Sequence, residues 1–284
     1  MKSKPQTSSE FTPSTAEACK SVMLEIISCL GPYRKHFVLV GGLVPKILID
    51  RDIPQGQGHV GTYDVDFAVN FLKISKNQYA TIAEMLFNHD YSYRKDKTGQ
   101  NLKFSFEKTV SFDGLEQTIY IDLVGPEYGG KNVKGFREKV QDGVHVHKAR
   151  GVDLVFDNCV DIEVTALLPD GIKHTETVSV VNGAAFAIVK AITFESRKEP
   201  KDAYDIYYCL KNYQGGLVAI NKELQNIRTH GLVKEGMSIL QKLFVDPLAI
   251  GPQRAARFIS DDPNQRSVIA SEFSELVASL LKHI

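Results

Sequence analysis

The sequence has little of what would assign it to several large classes of protein. Its 34 basic and 34 acidic side chains cancel, so no long-range field draws the chain towards a polyanion, and strong non-specific DNA binding is disfavoured. Any nucleic-acid contact has to come from a local patch. No apolar run approaches the roughly 20 residues that span a bilayer, and the N-terminus is polar rather than charged and then apolar. Both absences point away from a membrane and predict a cytoplasmic protein. Cysteine is scarce as well: Cys19, Cys29, Cys159 and Cys209 are scattered among mostly apolar neighbours. Without CxxC spacing they exclude a zinc ribbon or a disulfide scaffold and read as reduced packing residues.

What is present suffices for a large core. At 284 residues and 43% hydrophobic, the chain is expected to form two domains behind a short tail. Residues 1–14 are rich in Ser, Thr, Pro and Lys without periodicity, which predicts a disordered tail. Apolar residues at helical spacing predict a helix over Thr15 to Leu30, capped by Ser14 or Thr15 and ended by Gly31-Pro32. Strands are expected at Phe37–Val40, Tyr63–Val69, Leu102–Glu107, Gln117–Val124, Val152–Phe156, Asp161–Ala166 and Glu176–Val180. Only Leu43–Asp50 and Asn77–His89 look helical between them, and Phe112-Asp113-Gly114 reads as a tight turn. This is the pattern of an α/β (α+β) domain with a mixed sheet over residues 15–182. From 183 to 284 six helical stretches follow, from Ala184–Arg197 to Asn264–Lys282, which predicts a helical bundle.

The chemistry concentrates in a few segments. In Thr62-Tyr-Asp64-Val-Asp66-Phe the two aspartates stand at i, i+2 on a strand, so they share one face while Val65 and Phe67 turn to the core. Two parallel carboxylates make half a magnesium site. Gly41-Gly42 closes an apolar run, where backbone could approach phosphate oxygens. In Ile119-Tyr-Ile-Asp122-Leu-Val, a charge flanked by apolar residues is costly unless it is paired or holds a metal. Its alternative is a strand-end Asp bound to a nearby amide. Further on, Lys190 and Arg197 are seven residues apart on one helical face, and Pro200 opens a new helix carrying Asp202 and Asp205 at i, i+3. From spacing alone that junction reads as a surface ion-pair network. His145-Val-His147 reads as a surface hairpin with two solvated histidines, and Tyr204, Tyr207, Tyr208 and Tyr213 as bundle packing with wet hydroxyls.

The Gly-Gly, the Gly-Thr-x-Asp-x-Asp, the later Asp122-Leu and the Lys190…Arg197…Asp202-x-x-Asp205 pattern, in that order, resemble the nucleotidyltransferase toxins of type IV toxin-antitoxin systems, the abortive-infection AbiE kind. The resemblance covers about residues 36 to 210. Gly-Gly and DxD belong to the wider polymerase-beta-like nucleotidyltransferase superfamily; the Lys and Asp-x-x-Asp segment narrows it. Thr62 stands where that motif often has Ser, and the gap from Gly42 to Asp64 is longer than in many members.

The resemblance implies a mixed-sheet nucleotidyltransferase domain, a C-terminal helical domain, and magnesium-dependent transfer of an NMP from an NTP to an acceptor, perhaps tRNA. Asp64, Asp66 and Asp122 would hold the metal, with Asp122 assisting the attacking hydroxyl. Lys190 would neutralise phosphate charge, Asp205 would complete the site or orient Lys190, and Gly41, Gly42, Thr62, Arg197 and Asp202 would line the nucleotide. An antitoxin protein is the implied partner. An antibiotic-modifying nucleotidyltransferase and a degenerate nucleotide-binding protein are the alternatives.

Overall fold

A computed structural model of the chain describes residues 5–53, 58–74, 81–112, 114–127 and 136–282. The chain divides into two compact units, one formed by Pro13–Leu48 with Gly61–Val181, the other by the described residues of 1–12, 49–60 and 182–284. The first is built on a mixed sheet and the second is helical, which is the α/β class the sequence predicts.

The sheet unit begins with α1 (Pro13–Cys29), whose Ala18, Cys19, Val22, Met23 and Ile26 are buried. Pro13 occupies the first turn, where its missing N–H costs nothing. The helix therefore starts two residues before the expected Thr15, and Ser14 and Thr15 lie inside it. Strands β1 (Phe37–Val40) and β2 (Asp64–Val69) flank α2 (Val44–Leu48), and α3 (Ile82–Phe87) is capped by Thr81. Residues 77–80 of the expected Asn77–His89 helix, the first residues of the expected tail, and Asp113 of the expected turn lie outside the described residues. Then come β3 (Ser92–Lys95), β4 (Asn101–Phe112), β5 (Leu115–Pro126), β6 (Arg137–Gln141), β7 (Val144–Ala149), β8 (Cys159–Leu167) and β9 (Lys173–Val181). The order across the sheet is β3-β4-β5-β2-β1-β9-β8, with β7 joining β5 and β6 joining β7. Strand β2 is parallel to β5 and antiparallel to β1.

The expected strand at Val152–Phe156 is not one. Val152–Leu154 is a 3-10 turn behind Gly151, which stands at φ +93°, and it buries Val152, Leu154 and Val155. A short apolar run alone does not separate a buried turn from a strand.

The helical unit contains α4 (Gly183–Arg197), α5 (Pro200–Asn212), α6 (Gly216–Ile227), α7 (Gly231–Phe244), α8 (Ile250–Ile259) and α9 (Pro263–Lys282), all six where the sequence expects helices. Phe194, Phe244 and Phe273 form its aromatic core, with centroids 4.9 and 5.4 Å apart. Within the first fourteen residues, read from sequence as tail, Ser8–Glu10 forms a 3-10 turn and Phe11 packs edge-on against Phe258. The described residues of 49–60 also join this unit, held by Asp50, His59 and Val60. Among the described residues, no helix is long and apolar enough to cross a membrane.

Candidate metal centre and a buried charge network

Strand pairing decides the geometry of the first site. Asp66 on β2 stands directly opposite Asp122 on β5, and Asp64 opposite Tyr120. Opposed residues of paired strands share a face, so all three aspartates project from the same side while Val65, Phe67, Ile121 and Leu123 are buried on the other. One oxygen from each of Asp64, Asp66 and Asp122 lies within 4.8 Å of the others. Among the described residues, no other three His, Cys, Asp or Glu side chains gather in this way.

Neighbours orient each carboxylate. The Thr62 hydroxyl donates to Asp64 Oδ1 and the Ser105 hydroxyl to Asp122 Oδ1; Ser105 faces Asp122 across β4 and β5. The Cys19 thiol, buried in α1, reaches the Thr62 carbonyl at 3.4 Å. Burial raises the thiol's pKa and the nearby Asp64 and Asp66 carboxylates raise it further, so Cys19 stays protonated. Asp122 is itself raised, first by burial and then by Asp64, against the opposing Ser105 hydrogen bond, Arg94 and His147.

Gly41 has a defined role here. Its φ is +76°, and a Cβ added to it would lie 1.9 Å from Asp66 Oδ2. The backbone at the end of β1 thus leaves room for the Asp66 carboxylate. Gly42 is buried in the 3-10 turn Gly41–Leu43, and α2 behind it runs for only five residues. Phosphate binding at this turn would rest on individual N–H groups rather than on a helix macrodipole.

The donor set suits a hard divalent cation. Three carboxylates and no nitrogen or sulfur ligand favour Mg²⁺ or Mn²⁺. One oxygen of each side chain lies within 4.8 Å of the others, so a single cation could draw on all three.

The second constellation lies in the helical unit. Lys190 Nζ on α4 is 3.0 Å from Asp202 Oδ1 and 2.7 Å from Asp205 Oδ2. Arg197 grips Asp202 through two nitrogens at 2.6 and 2.9 Å, and Lys201 reaches Asp205 at 2.6 Å. The four expected residues therefore do converge, with Asp202 and Asp205 at most 1% exposed. The carboxylates and Lys190 are buried, not at the surface as spacing suggests, and only Arg197 of the four stays exposed. Burial opposes the charges on Asp205 and Lys190, yet each prevails: Lys190 and Lys201 hold the Asp205 carboxyl well below its ordinary range, and Asp205 and Asp202 raise Lys190.

His59 completes the network, and nothing in its local sequence marks it. Its side chain is fully buried, stacked on Tyr204 at 4.9 Å and edge-on to Tyr208 at 5.0 Å. Nε2–H donates to the ionised Asp205 at 2.8 Å. Burial, and then Lys201, lower its pKa to about 4 despite Asp205. Because the folded pKa lies below the unfolded value of about 6.5, the unfolded chain binds the extra proton first. Stability is complete above pH 6.5 and falls towards pH 4. Urea melts should show the wild type losing about 2 to 3 kcal/mol across that window relative to His59→Gln; equal pH dependence would contradict this assignment.

The tyrosines differ from expectation. Tyr204, Tyr207 and Tyr208 are buried, and their hydroxyls bond the Val60 amide, Glu272 and Asp50, while Tyr213 bonds Glu223. They are occupied within their own unit instead of wet. His145 and His147 lie on β7 and are half-buried, with Val146 between them in the core.

Compared with known proteins, the sequence matches no family model and no curated protein.

Proposed function

We propose that the protein is a magnesium-dependent nucleotidyltransferase that moves a nucleoside monophosphate from an NTP to an acceptor hydroxyl. The observation that carries this reading is the Asp66–Asp122 register, which with Asp64 presents three carboxylates to one point on the sheet. Asp64, Asp66 and Asp122 would hold the cation. When bound, it supplies charge neutralisation on the triphosphate and lowers the pKa of a coordinated hydroxyl. The acceptor oxygen attacks the α-phosphorus as its proton leaves, a new P–O bond forms, and the bond to pyrophosphate breaks. Asp122, opposite Asp66 in the strand register, is placed to assist the departure of that proton. Asp66, seated against Gly41, and Asp64, held by Thr62, contribute position, which is most of what such a reaction asks of a protein.

The order of the motifs supports the further reading of a toxin held in check by an antitoxin protein. On that reading Lys190, Arg197, Asp202 and Asp205 serve the nucleotide; inside their own unit they also join α4 and α5.

The test is incubation with each α-labelled NTP, Mg²⁺ and either total RNA or an aminoglycoside panel. Label on RNA supports the proposal, and label on a drug replaces it with an antibiotic-modifying enzyme. Tight NTP binding without transfer to either would mark a degenerate relative and defeat it.

A further inference from the structure

Among the described residues the mixed sheet has three open edges, β3, β6 and β8, each paired with a single neighbour. An open edge offers unpaired N–H and C=O groups to any other strand, and proteins usually blunt it with short strands, bulges, prolines or basic side chains. Two of the three edges are blunted in this way. Strand β3 has four residues, carries Arg94 and Lys95, and shifts register between Tyr93 and Lys95. Strand β6 has five, carries Arg137 and Lys139, and shifts register between Lys139 and Gln141. Strand β8 has none of these features. It runs for nine residues without proline, glycine, lysine or arginine, and pairs with β9 at nine consecutive positions with no shift.

One face of β8 is closed and the other open. Ile162 and Val164 are buried, whereas Asp161, Glu163, Thr165 and Leu167 are exposed. Val160 and, just past the turn into β9, Ile172 add exposed apolar surface to the same hairpin. Of the two charges on β8, Asp161 is drawn back onto β9, where it accepts from the Ser179 hydroxyl at 2.6 Å.

We propose that β8 is a dimer interface: β8 of a second copy of this chain pairs with it antiparallel about a two-fold axis through Val164, joining the two sheets into one. The aspartates lie on β2 and β5, three and four strands away in the sheet order, so the interface is independent of the function proposed above.

Pleat and charge fix the register. A two-fold axis perpendicular to the sheet keeps each face on its own side, so paired residues share a face and the axis passes through a residue. Centred on Glu163, the pairing would set that carboxylate against itself, which is unfavourable. Centred on Thr165, it would run out two residues further on, where β8 ends at Leu167. Centred on Val164, all of Asp161 to Leu167 pair. Val164 then meets Val164, Ile162 meets Ala166, Glu163 meets Thr165 and Asp161 meets Leu167, with no carboxylate opposite another. Lys173, exposed on β9, stands opposite Leu167. It therefore falls in one row with Asp161 of the second copy, two strands or about 9.6 Å away, a span that a lysine and an aspartate cover between them. Symmetry makes that pair twice. A two-fold contact also consumes the edge on both copies, so assembly closes at two instead of propagating.

The experiment is sedimentation velocity of the full chain from about 1 µM to about 500 µM, a range suited to an interface as small as one strand pair. Monomer should give way to dimer as concentration rises. Thr165→Glu places a carboxylate opposite Glu163 twice per dimer and should weaken association about tenfold. Adding Glu163→Lys to it turns each facing pair into lysine and glutamate and should restore the wild-type affinity. Both positions are exposed, and rescue by the double variant separates a lost contact from a lost fold. A chain that stays monomeric throughout overturns the proposal and leaves the edge to a strand of another protein. A dimer that Thr165→Glu leaves unchanged, or a loss that Glu163→Lys does not reverse, overturns it as well.

Discussion

Asp122→Asn is expected to make the metal-free protein more stable while sharply slowing transfer. The three carboxylates share one small space, and Asp122 is held above its ordinary pKa by burial and by Asp64. A carboxyl whose folded pKa exceeds its unfolded one destabilises the fold at neutral pH, where it is ionised in both states. Asparagine removes the charge, keeps an oxygen to accept from Ser105, and adds an N–H that can face Asp64. Relief of like-charge crowding of this kind is worth on the order of 1 kcal/mol, or about 2 to 4 °C in Tm for a domain of 150 to 250 residues. The same change removes a ligand, so the Mg²⁺-dependent rise in Tm should vanish and turnover should fall by two to three orders of magnitude. Thermal melts with and without Mg²⁺, beside the label-transfer assay, read all three quantities. A variant that is less stable yet fully active would remove Asp122 from the site.

The second large effect belongs to the helical unit. Asp205 receives Lys190 at 2.7 Å, Lys201 at 2.6 Å and His59 at 2.8 Å with no side-chain exposure. In Asp205→Ala the Lys201 ammonium loses its carboxylate and Lys190 keeps only Asp202, both in largely buried positions, and removing one side of a buried ion pair costs about 3 to 5 kcal/mol. Asp142→Ala provides the comparison, because its partner Lys139 and Asp142 itself are 62% and 89% exposed; there solvent screens the pair and the loss should be far smaller. Urea melts of both variants at pH 7 make the test, and equal losses would mean that the network contributes nothing through burial. Lys190→Ala carries a similar cost, since Asp205 would keep only one lysine. Its loss of activity would therefore mix chemistry with stability, whereas Asp64 and Asp66 variants are cleaner probes.

The sheet face is legible in the sequence where its signal is local. Alternation in a strand requires only the residues themselves, so Asp64 and Asp66 fall on one face before any fold is known. That Asp66 opposes Asp122 does not follow in the same way, because parallel pairing between segments 56 residues apart is fixed by the sheet and leaves no trace in either segment. Asp122 is visible only as a charge in an apolar run. His59 shows the opposite limit. It lies in a stretch without periodicity and acquires its role from Asp205, 146 residues away. For the same reason the sequence divides the chain once, near residue 182, while the described residues of 49–60 pack with the helices. The short strand β3, with only partly buried residues, lacks the alternation that marks its longer neighbours, and Arg94 goes unmarked with it. The convergence of Lys190, Arg197, Asp202 and Asp205 follows from helical spacing, but the burial of Lys190, Asp202 and Asp205 depends on the packing of α5 against its neighbours.

The most direct measurement is Mn²⁺ binding by electron paramagnetic resonance, with a non-hydrolysable NTP analogue present, for the wild type and for Asp66→Asn. The wild type should bind the ion in an all-oxygen environment, and Asp66→Asn should weaken binding by at least about tenfold with its fold intact. Equal affinity in the two proteins, or no bound ion in the wild type, would mean that the three aspartates do not form a metal site.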